Sequence, residues 1–353
     1  MSPSRVLWID ALRGLAILLM IPANLAPYLS EPHPLWFRIA GSYAAPMFIA
    51  ISAGMVTFRG SYHRLSYYIK RSLLVLLIGA LLDSLLWGIM PGTSWDVLYI
   101  IGPGMVVAYM ARNARPSTLF IAAAAVFALA FAVRKLAGYD PVPLEVYWSS
   151  FSWPEPWRVL RSWFVDGWFP ILPWAGFTLF GTAFFRLLFH AWNESTGRKL
   201  LAAGLLCAAA GFFLLLLSIP LVENIPGGNI IVSREGYSEI FYPPTPAYLL
   251  SAVGVVILAA LAVRHVRPHA VTSAVAFFGR YSMLVYILHQ VAGDAILNPM
   301  IQAYGVESIS SGWVFTAAVI GVIAFVALVC FLAERYKKRH PPKSLLLNIL
   351  FGR

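Results

Sequence analysis

Apolar runs long enough to cross a bilayer follow one another from one end of this chain to the other. Windows of about 20 residues place them at 6–26, 38–58, 70–90, 95–111, 117–135, 168–188, 199–219, 245–263, 271–293 and 312–334. Inside lipid a backbone must satisfy its own hydrogen bonds, so runs of this length fold as helices. The expectation is an all-α, polytopic membrane helix bundle of about ten transmembrane helices, with the run at 95–111 short and tilted or half-buried. Composition agrees: 60% of the residues are hydrophobic and only 12% charged, where soluble domains have about 45–50% and 25%. No stretch remains for a sizeable soluble domain, and the whole chain, 1–353, reads as a single transmembrane domain.

The net charge of +11 does not point to nucleic acid, because the basic residues sit in short loops between spans. Arg5, then Arg59, Arg64, Lys70 and Arg71, then Arg112 and Arg115, then Arg186, Arg198 and Lys199, then Arg264 and Arg267, then Arg335, Lys337, Lys338 and Arg339 fall on one side of a ten-span bundle. The positive-inside rule puts that side and both termini in the cytoplasm of a multi-pass plasma-membrane protein. Arg134 and Lys135 are the main exception. The first run has a short basic lead and no small-residue cleavage site, so it is read as retained. Cys207 and Cys330 both fall in apolar runs, which argues against a disulfide framework, a metal cluster or a thiol nucleophile.

That first run, VLWIDALRGLAILLMIPANLA, carries Asp10, Arg13 and Asn24. At about 100° per residue, Arg13 and Asn24 lie nearly three whole turns apart on one face, and Asp10 lies close to the same stripe. A central Arg or Asp is penalised by roughly 2.5–3.5 kcal/mol in lipid, so these groups face a bundle interior and pair. Asp10 and Arg13, as i,i+3 neighbours, can pair with each other. A structural clamp accounts for that pair, while a polar-lined cavity also accounts for the Asn three turns on.

The outer loop 136–167 holds Trp148, Trp153, Trp157 and Trp163, with Trp168 just beyond. Interfacial aromatic belts explain such residues; an amphipathic lid explains them too, since Trp157, Leu160, Arg161 and Phe164 follow helical spacing and flat indoles suit sugar rings. The other long outer loop, 220–244, leads into Pro243, Pro244 and Pro246, which enforce an extended entry to the next span.

Two histidines are candidates for chemistry. His33 lies between Pro32 and Pro34, nine residues after Asn24; fixed backbone on both sides can hold a side chain in a productive geometry. A neutral imidazole accepts a proton from a hydroxyl or an amine near pH 7. His289 lies near the outer end of the ninth span and Arg280 near its cytoplasmic start, repeating the first helix's pattern of an inner cation and an outer polar group; a structural hydrogen bond to a neighbouring helix is its other reading. Asp83, inside the third span, is read as paired with a cation or lining the cavity. His63, His190, His265, His269 and His340 sit with the basic clusters and are read as solvated. Neither HExxH nor any other spacing makes a metal site, and the P-loop, G-x-G-x-x-G and helical-repeat signatures are absent.

The string IDALRGLAILLMIPAN, followed by His33 and then APMFIAISAGM, resembles the start of the transmembrane acyltransferase superfamily, most closely its heparan-alpha-glucosaminide N-acetyltransferase branch and bacterial relatives. WDVLYIIGPGMVVAYMAR, WFPILPWAGFTLFGTAFFR and FGRYSMLVYILHQ extend the likeness over most of the chain. The resemblance implies that His33 is the catalytic histidine and Asn24 its companion, with Asp10 and Arg13 at the acidic and Arg positions of the helix signature. Related polysaccharide O-acyltransferases carry a His where this chain has Asn24. The gap from Asn24 to His33 is shorter than in the heparan enzyme. The expectation is therefore a bacterial or archaeal relative without the lumenal prodomain, and heparan is not assumed as its acceptor.

The resemblance further implies acyl transfer from cytoplasmic acetyl-CoA, with no metal, to an amine or hydroxyl of an extracytoplasmic, glycan-type acceptor. The donor's phosphates are expected at Arg13, Lys70, Arg71 and Arg280, and its thioester, about 16 Å further along the helix, at Asn24 and His33. Membrane lipids are the remaining partners, and a homodimer is compatible with the apolar surface. A transporter or flippase using the same stripe is the alternative; a membrane scaffold would leave the aligned polar groups unexplained.

Overall fold

The structure, a computed structural model, describes residues 6–60, 62–223, 234, 236–237, 239–304, 308–340 and 344–352. Arg5 and, in the 220–244 loop, residues 224–233, 235 and 238 lie outside these residues. All described elements are helical. In chain order they are α1 (Leu7–Asn24), α2 (Leu35–Gly41), α3 (Ala44–Arg59), α4 (Leu65–Leu85), α5 (Val97–Ala111), α6 (Pro116–Ala137), α7 (Pro156–Arg161) and α8 (Ile171–His190). Then come α9 (Glu194–Glu223), α10 (Pro246–His265), α11 (Ala270–Arg280), α12 (Ser282–Ala292), α13 (Asn298–Ala303), α14 (Gly312–Arg339) and α15 (Leu345–Leu350). Nine segments among the described residues are long and apolar enough to span a bilayer, and α5 is the shorter apolar helix that the sequence implied at 95–111. The protein is a multi-pass membrane protein.

Lipid-facing surfaces are visible as stripes. On α4 the exposed Leu73, Leu77, Leu81 and Leu85 repeat every four residues, one face of a helix. The opposite face buries Tyr68, Ser72, Val75, Ile78, Gly79 and Asp83. Apolar surface on this scale would drive a water-soluble chain to associate, whereas in a bilayer it is solvated.

The chain forms two compact units. The first comprises Ala45–Leu216 and Pro243–Leu258. Its core is aromatic: Trp174, Phe177, Phe184 and Phe185 of α8 and Tyr248 of α10 are fully buried. Small residues let the backbones approach. A Cβ on Gly181 would sit 2.4 Å from the Ala50 carbonyl oxygen, and one on Gly254 would sit 2.3 Å from the Ala208 nitrogen. In the 136–167 segment, α7 and the single π turn Ser162–Asp166 are helical across Trp157, Leu160, Arg161 and Phe164, whose spacing implied a helix.

The second unit comprises Arg5–Ala44, Leu217–Tyr242 and Ala259–Arg353. Here α1 is central, burying Ile9, Leu12, Ala16, Ile17 and Ile21 and packing on α11, α12 and α14. The sequence reading of one span over 271–293 is corrected. Its helix ends at Arg280, Tyr281 leaves helical geometry (φ −105°, ψ 24°), and α12 starts at Ser282. The membrane-length segment is Ser282–Ala303. The four residues at the break, Gly279 to Ser282, are outweighed in a 20-residue window by the apolar residues on both sides, so the break left no trace in the profile.

Candidate active site

The polar stripe of α1 lies against protein. The Asp10 carboxylate pairs with the Arg13 guanidinium at 3.6 Å, as the i,i+3 spacing implied, and Asp10 is buried. The neighbouring helix comes unusually close here. A Cβ on Gly279 would lie 1.8 Å from the Asp10 carbonyl oxygen, and one on Gly14 would lie 1.9 Å from that of Val275. Only residues without a side chain allow α1 and α11 to cross with their backbones in contact. Arg280, the next residue, pairs with Glu334 at 3.7 Å.

After α1 the chain turns and is clamped. The Ser30 N–H donates to the Ile309 carbonyl at 3.0 Å, the Ile309 N–H donates to that of Tyr28 at 2.8 Å, and the Ser30 and Ser308 hydroxyls lie 2.7 Å apart. His33 comes next, buried at 7% exposure, with Pro34 capping the start of α2. A Phe37 ring stands edge-on to the imidazole at 6.0 Å and packs in turn on Phe315.

The hydrogen bonding of His33 fixes its tautomer. Its Nε2 lies 2.9 Å from the Leu29 carbonyl oxygen, which can only accept, so Nε2 carries the hydrogen. Nδ1 then holds the lone pair, and this atom is buried with no hydrogen-bond partner among the described residues. A buried, unpartnered acceptor in a polar site marks a place where a hydrogen-bond donor is expected.

Asn24, the last residue of α1, does not bond to His33. Its Nδ2 donates to His289 Nε2 at 2.9 Å, while His289 Nδ1 donates to the Val285 carbonyl at 3.0 Å. His289 is fully buried, and this chain of bonds sets both its tautomer and the orientation of the Asn24 amide. The structural hydrogen bond expected of His289 as one of its two readings is present, and its partner is the other candidate residue.

Two participants escaped the sequence reading. Arg38 on α2 is buried at 5% exposure and Glu239 at 7%; Glu31 and Glu239 both act on the Arg38 charge. The segment carrying Glu239 docks through the Ile240 N–H, which donates to Ser42 Oγ at 2.8 Å. Burial pushes the Glu239 carboxyl up to about 7, with the Arg38 charge pulling the other way. A charge at the head of an apolar run was the available sign for Arg38; Glu239, in a long polar loop, gave none.

In the first unit, Lys70 is exposed and Arg71 half-buried on α4. His63, read as solvated, keeps partial exposure, and its ring stacks on Tyr67 at 4.0 Å, with Tyr68 and Tyr109 adjoining. Burial lowers its pKa, with Arg59 and Arg71 adding to the effect. Asp83, read as paired with a cation or lining the cavity, has a neutral partner. Its carboxylate accepts a 2.6 Å bond from the Tyr99 hydroxyl, a neutral donor that satisfies the acid between α4 and α5. Among the described residues no three His, Cys, Asp or Glu side chains gather as metal ligands.

A family model described as heparan-alpha-glucosaminide N-acetyltransferase, catalytic, matches residues 5–213, more than half of the chain. The matched segment holds Asp10, Arg13, Asn24, His33, Lys70, Arg71 and Asp83, while Arg280 and His289 lie beyond it. No curated protein matches the chain.

Proposed function

Because the chain belongs to the heparan-alpha-glucosaminide N-acetyltransferase catalytic family, we propose that it moves an acetyl group from cytoplasmic acetyl-CoA to an amine or hydroxyl of an extracytoplasmic, glycan-type acceptor. The observation that carries this reading is the His33 imidazole, with its Nε2–H held by Leu29 and its Nδ1 lone pair buried and unpartnered among the described residues. Such a group is a general base with its orientation already set.

In the proposed step His33 Nδ1 takes the proton from the acceptor's N–H or O–H as that atom bonds to the thioester carbonyl carbon. The C–S bond then breaks, the coenzyme leaves as thiolate, and the proton returns to sulfur. An amide offers two N–H donors, so Asn24 keeps one for the developing oxyanion after bonding His289. Loss of such a donor costs about 10²–10³ in rate. A transiently acetylated His33 is the ping-pong form of the same chemistry. For the donor's phosphates the candidates are Arg13 with Asp10, Arg280, Lys70 and Arg71, since guanidinium and ammonium groups suit phosphate, and each is to be tested alone.

The experiment is to incubate purified, membrane-reconstituted protein with acetyl-CoA carrying a labelled acetyl group. Saturable binding, and label passing to an amino sugar or sugar hydroxyl, support the reading. Absence of binding removes the donor, and uptake of a solute into proteoliposomes without acyl-CoA would establish a transporter instead.

A further inference from the structure

Within the first unit, the segment 138–144 and the α7 region enclose a cleft of about 310 Å³ whose lining includes Tyr139, Asp140, Trp157, Arg158, Arg161 and Asp166. That size is at the small end of ligand sites. Its frame is fixed by hydrogen bonds. The Asp166 carboxylate pairs with Arg161 and accepts from the Asp140 N–H at 3.3 Å. Ser162 Oγ donates to the Thr93 carbonyl at 2.7 Å, and the adjacent Trp163 indole donates to that of Gly92 at 2.6 Å.

The exposed groups are of another kind. The Trp157 indole N–H is tied to the Glu155 carboxylate, which orients a ring that is 55% exposed. Asp140 accepts from the Val142 N–H with one carboxylate oxygen, at 3.0 Å, leaving the other for a ligand. Arg158 is exposed at the rim. The cleft thus offers a flat aromatic face, a carboxylate acceptor and a guanidinium donor. Its two Arg and two Asp residues cancel in charge, and one of each is already paired.

We propose that this cleft binds one neutral sugar unit of a glycan acceptor, its apolar ring face on Trp157 and its hydroxyls on Asp140 and Arg158. A sugar ring has that mixture: C–H groups on one face and hydroxyls that both donate and accept at its edge. An anionic lipid headgroup would need a surplus of positive charge, which the lining lacks. The inference rests on the glycan-acceptor reading and adds to it a binding subsite built from residues other than the reacting groups.

The test uses the full chain in nanodiscs of zwitterionic lipid, titrated with cellobiose, lactose and maltose and read by saturation-transfer NMR. Saturable binding of at least one disaccharide is expected. Trp157→Ala, Trp157→Leu and Asp140→Asn should each weaken it at least ten-fold at unchanged melting temperature. Trp157→Leu keeps apolar bulk while removing the flat ring, so its effect reports stacking. Absence of saturable binding, or affinities unmoved by these variants, overturns the proposal. So does binding of phosphatidylglycerol vesicles that is lost in the Trp157 variants while the sugars do not bind. Acetyl-CoA binding, measured in parallel, separates the two failures: lost sugar binding with intact donor binding sinks the subsite alone.

Discussion

Asn24 and His289 lie 265 positions apart in sequence and share a 2.9 Å hydrogen bond inside the second unit. The bond ties the last residue of α1 to a fully buried ring on α12, and the second N–H of the Asn24 amide has no hydrogen bond among the described residues. If that donor serves the oxyanion, His289 acts through Asn24. His289→Ala is then expected to lower kcat by about 10-fold or more with little change in acetyl-CoA affinity, because a misplaced donor loses transition-state contact only. His289→Gln, which can still accept from the Asn24 amide, should recover part of the rate. A purely structural His289 would lower melting temperature in both variants and leave kcat per folded molecule unchanged.

Removal of His33 tests the base directly. General-base groups contribute about 10²–10⁴ in rate, so His33→Ala should lose transfer by that factor while donor binding, measured by titration with acetyl-CoA, stays within about two-fold. Phe37 and the Leu29 carbonyl are left without the ring they contact, yet the clamp at Ser30 and Ile309 does not involve His33, so folding should survive. Unchanged turnover would remove His33 from the mechanism.

The crossing of α1 and α11 makes a stability prediction. Gly279→Ala places a methyl group 1.8 Å from a backbone oxygen of Asp10, and neither backbone can yield by rotating a side chain. Overpacking of this kind costs about 1–3 kcal/mol or more, so a fall in detergent-solubilised melting temperature is expected, along with a shift of the Asp10–Arg13 pair. Gly312→Ala, where a Cβ meets nothing within 4 Å, is the control and should leave the melting temperature in place.

How far the sequence revealed this arrangement depends on the kind of signal. The spans were legible because each must fill the bilayer with apolar residues, and the Asp10–Arg13 pair because i,i+3 spacing brings two charges together whatever the rest of the fold does. The break at Tyr281 was hidden because both flanking helices are apolar. Asp83 was visible as an acid in a span, but its partner, Tyr99, is neutral and lies 16 positions on, so the expectation of a cation missed it. The tautomer of His33 depends on a carbonyl, which every residue carries, and no pattern of side chains announces it.

Glu239 gives the pH prediction. Burial raises its carboxyl from the ordinary 4.5 to about 7, and the neighbouring Arg38 charge only partly offsets that. The fold therefore favours the protonated form. Stability from this group is full below pH 4.5 and is lost as pH rises through about 7, since the unfolded chain ionises more readily than the folded one. At about 1.4 kcal/mol per pKa unit the change is roughly 3 kcal/mol. Melting temperature of the reconstituted protein should fall between about pH 5 and 8, and Glu239→Gln should flatten that slope, because the amide cannot ionise. If instead the melting temperature of the wild-type protein is level over this range and falls only below about pH 4.5, Glu239 is ionised in the fold and its charge is held by Arg38. Arg38→Met separates the two cases: it removes the cation whose attraction lowers the Glu239 pKa, so a raised pKa should climb further and steepen the loss, whereas a held carboxylate would be left unpaired and its level profile would turn into a fall with rising pH.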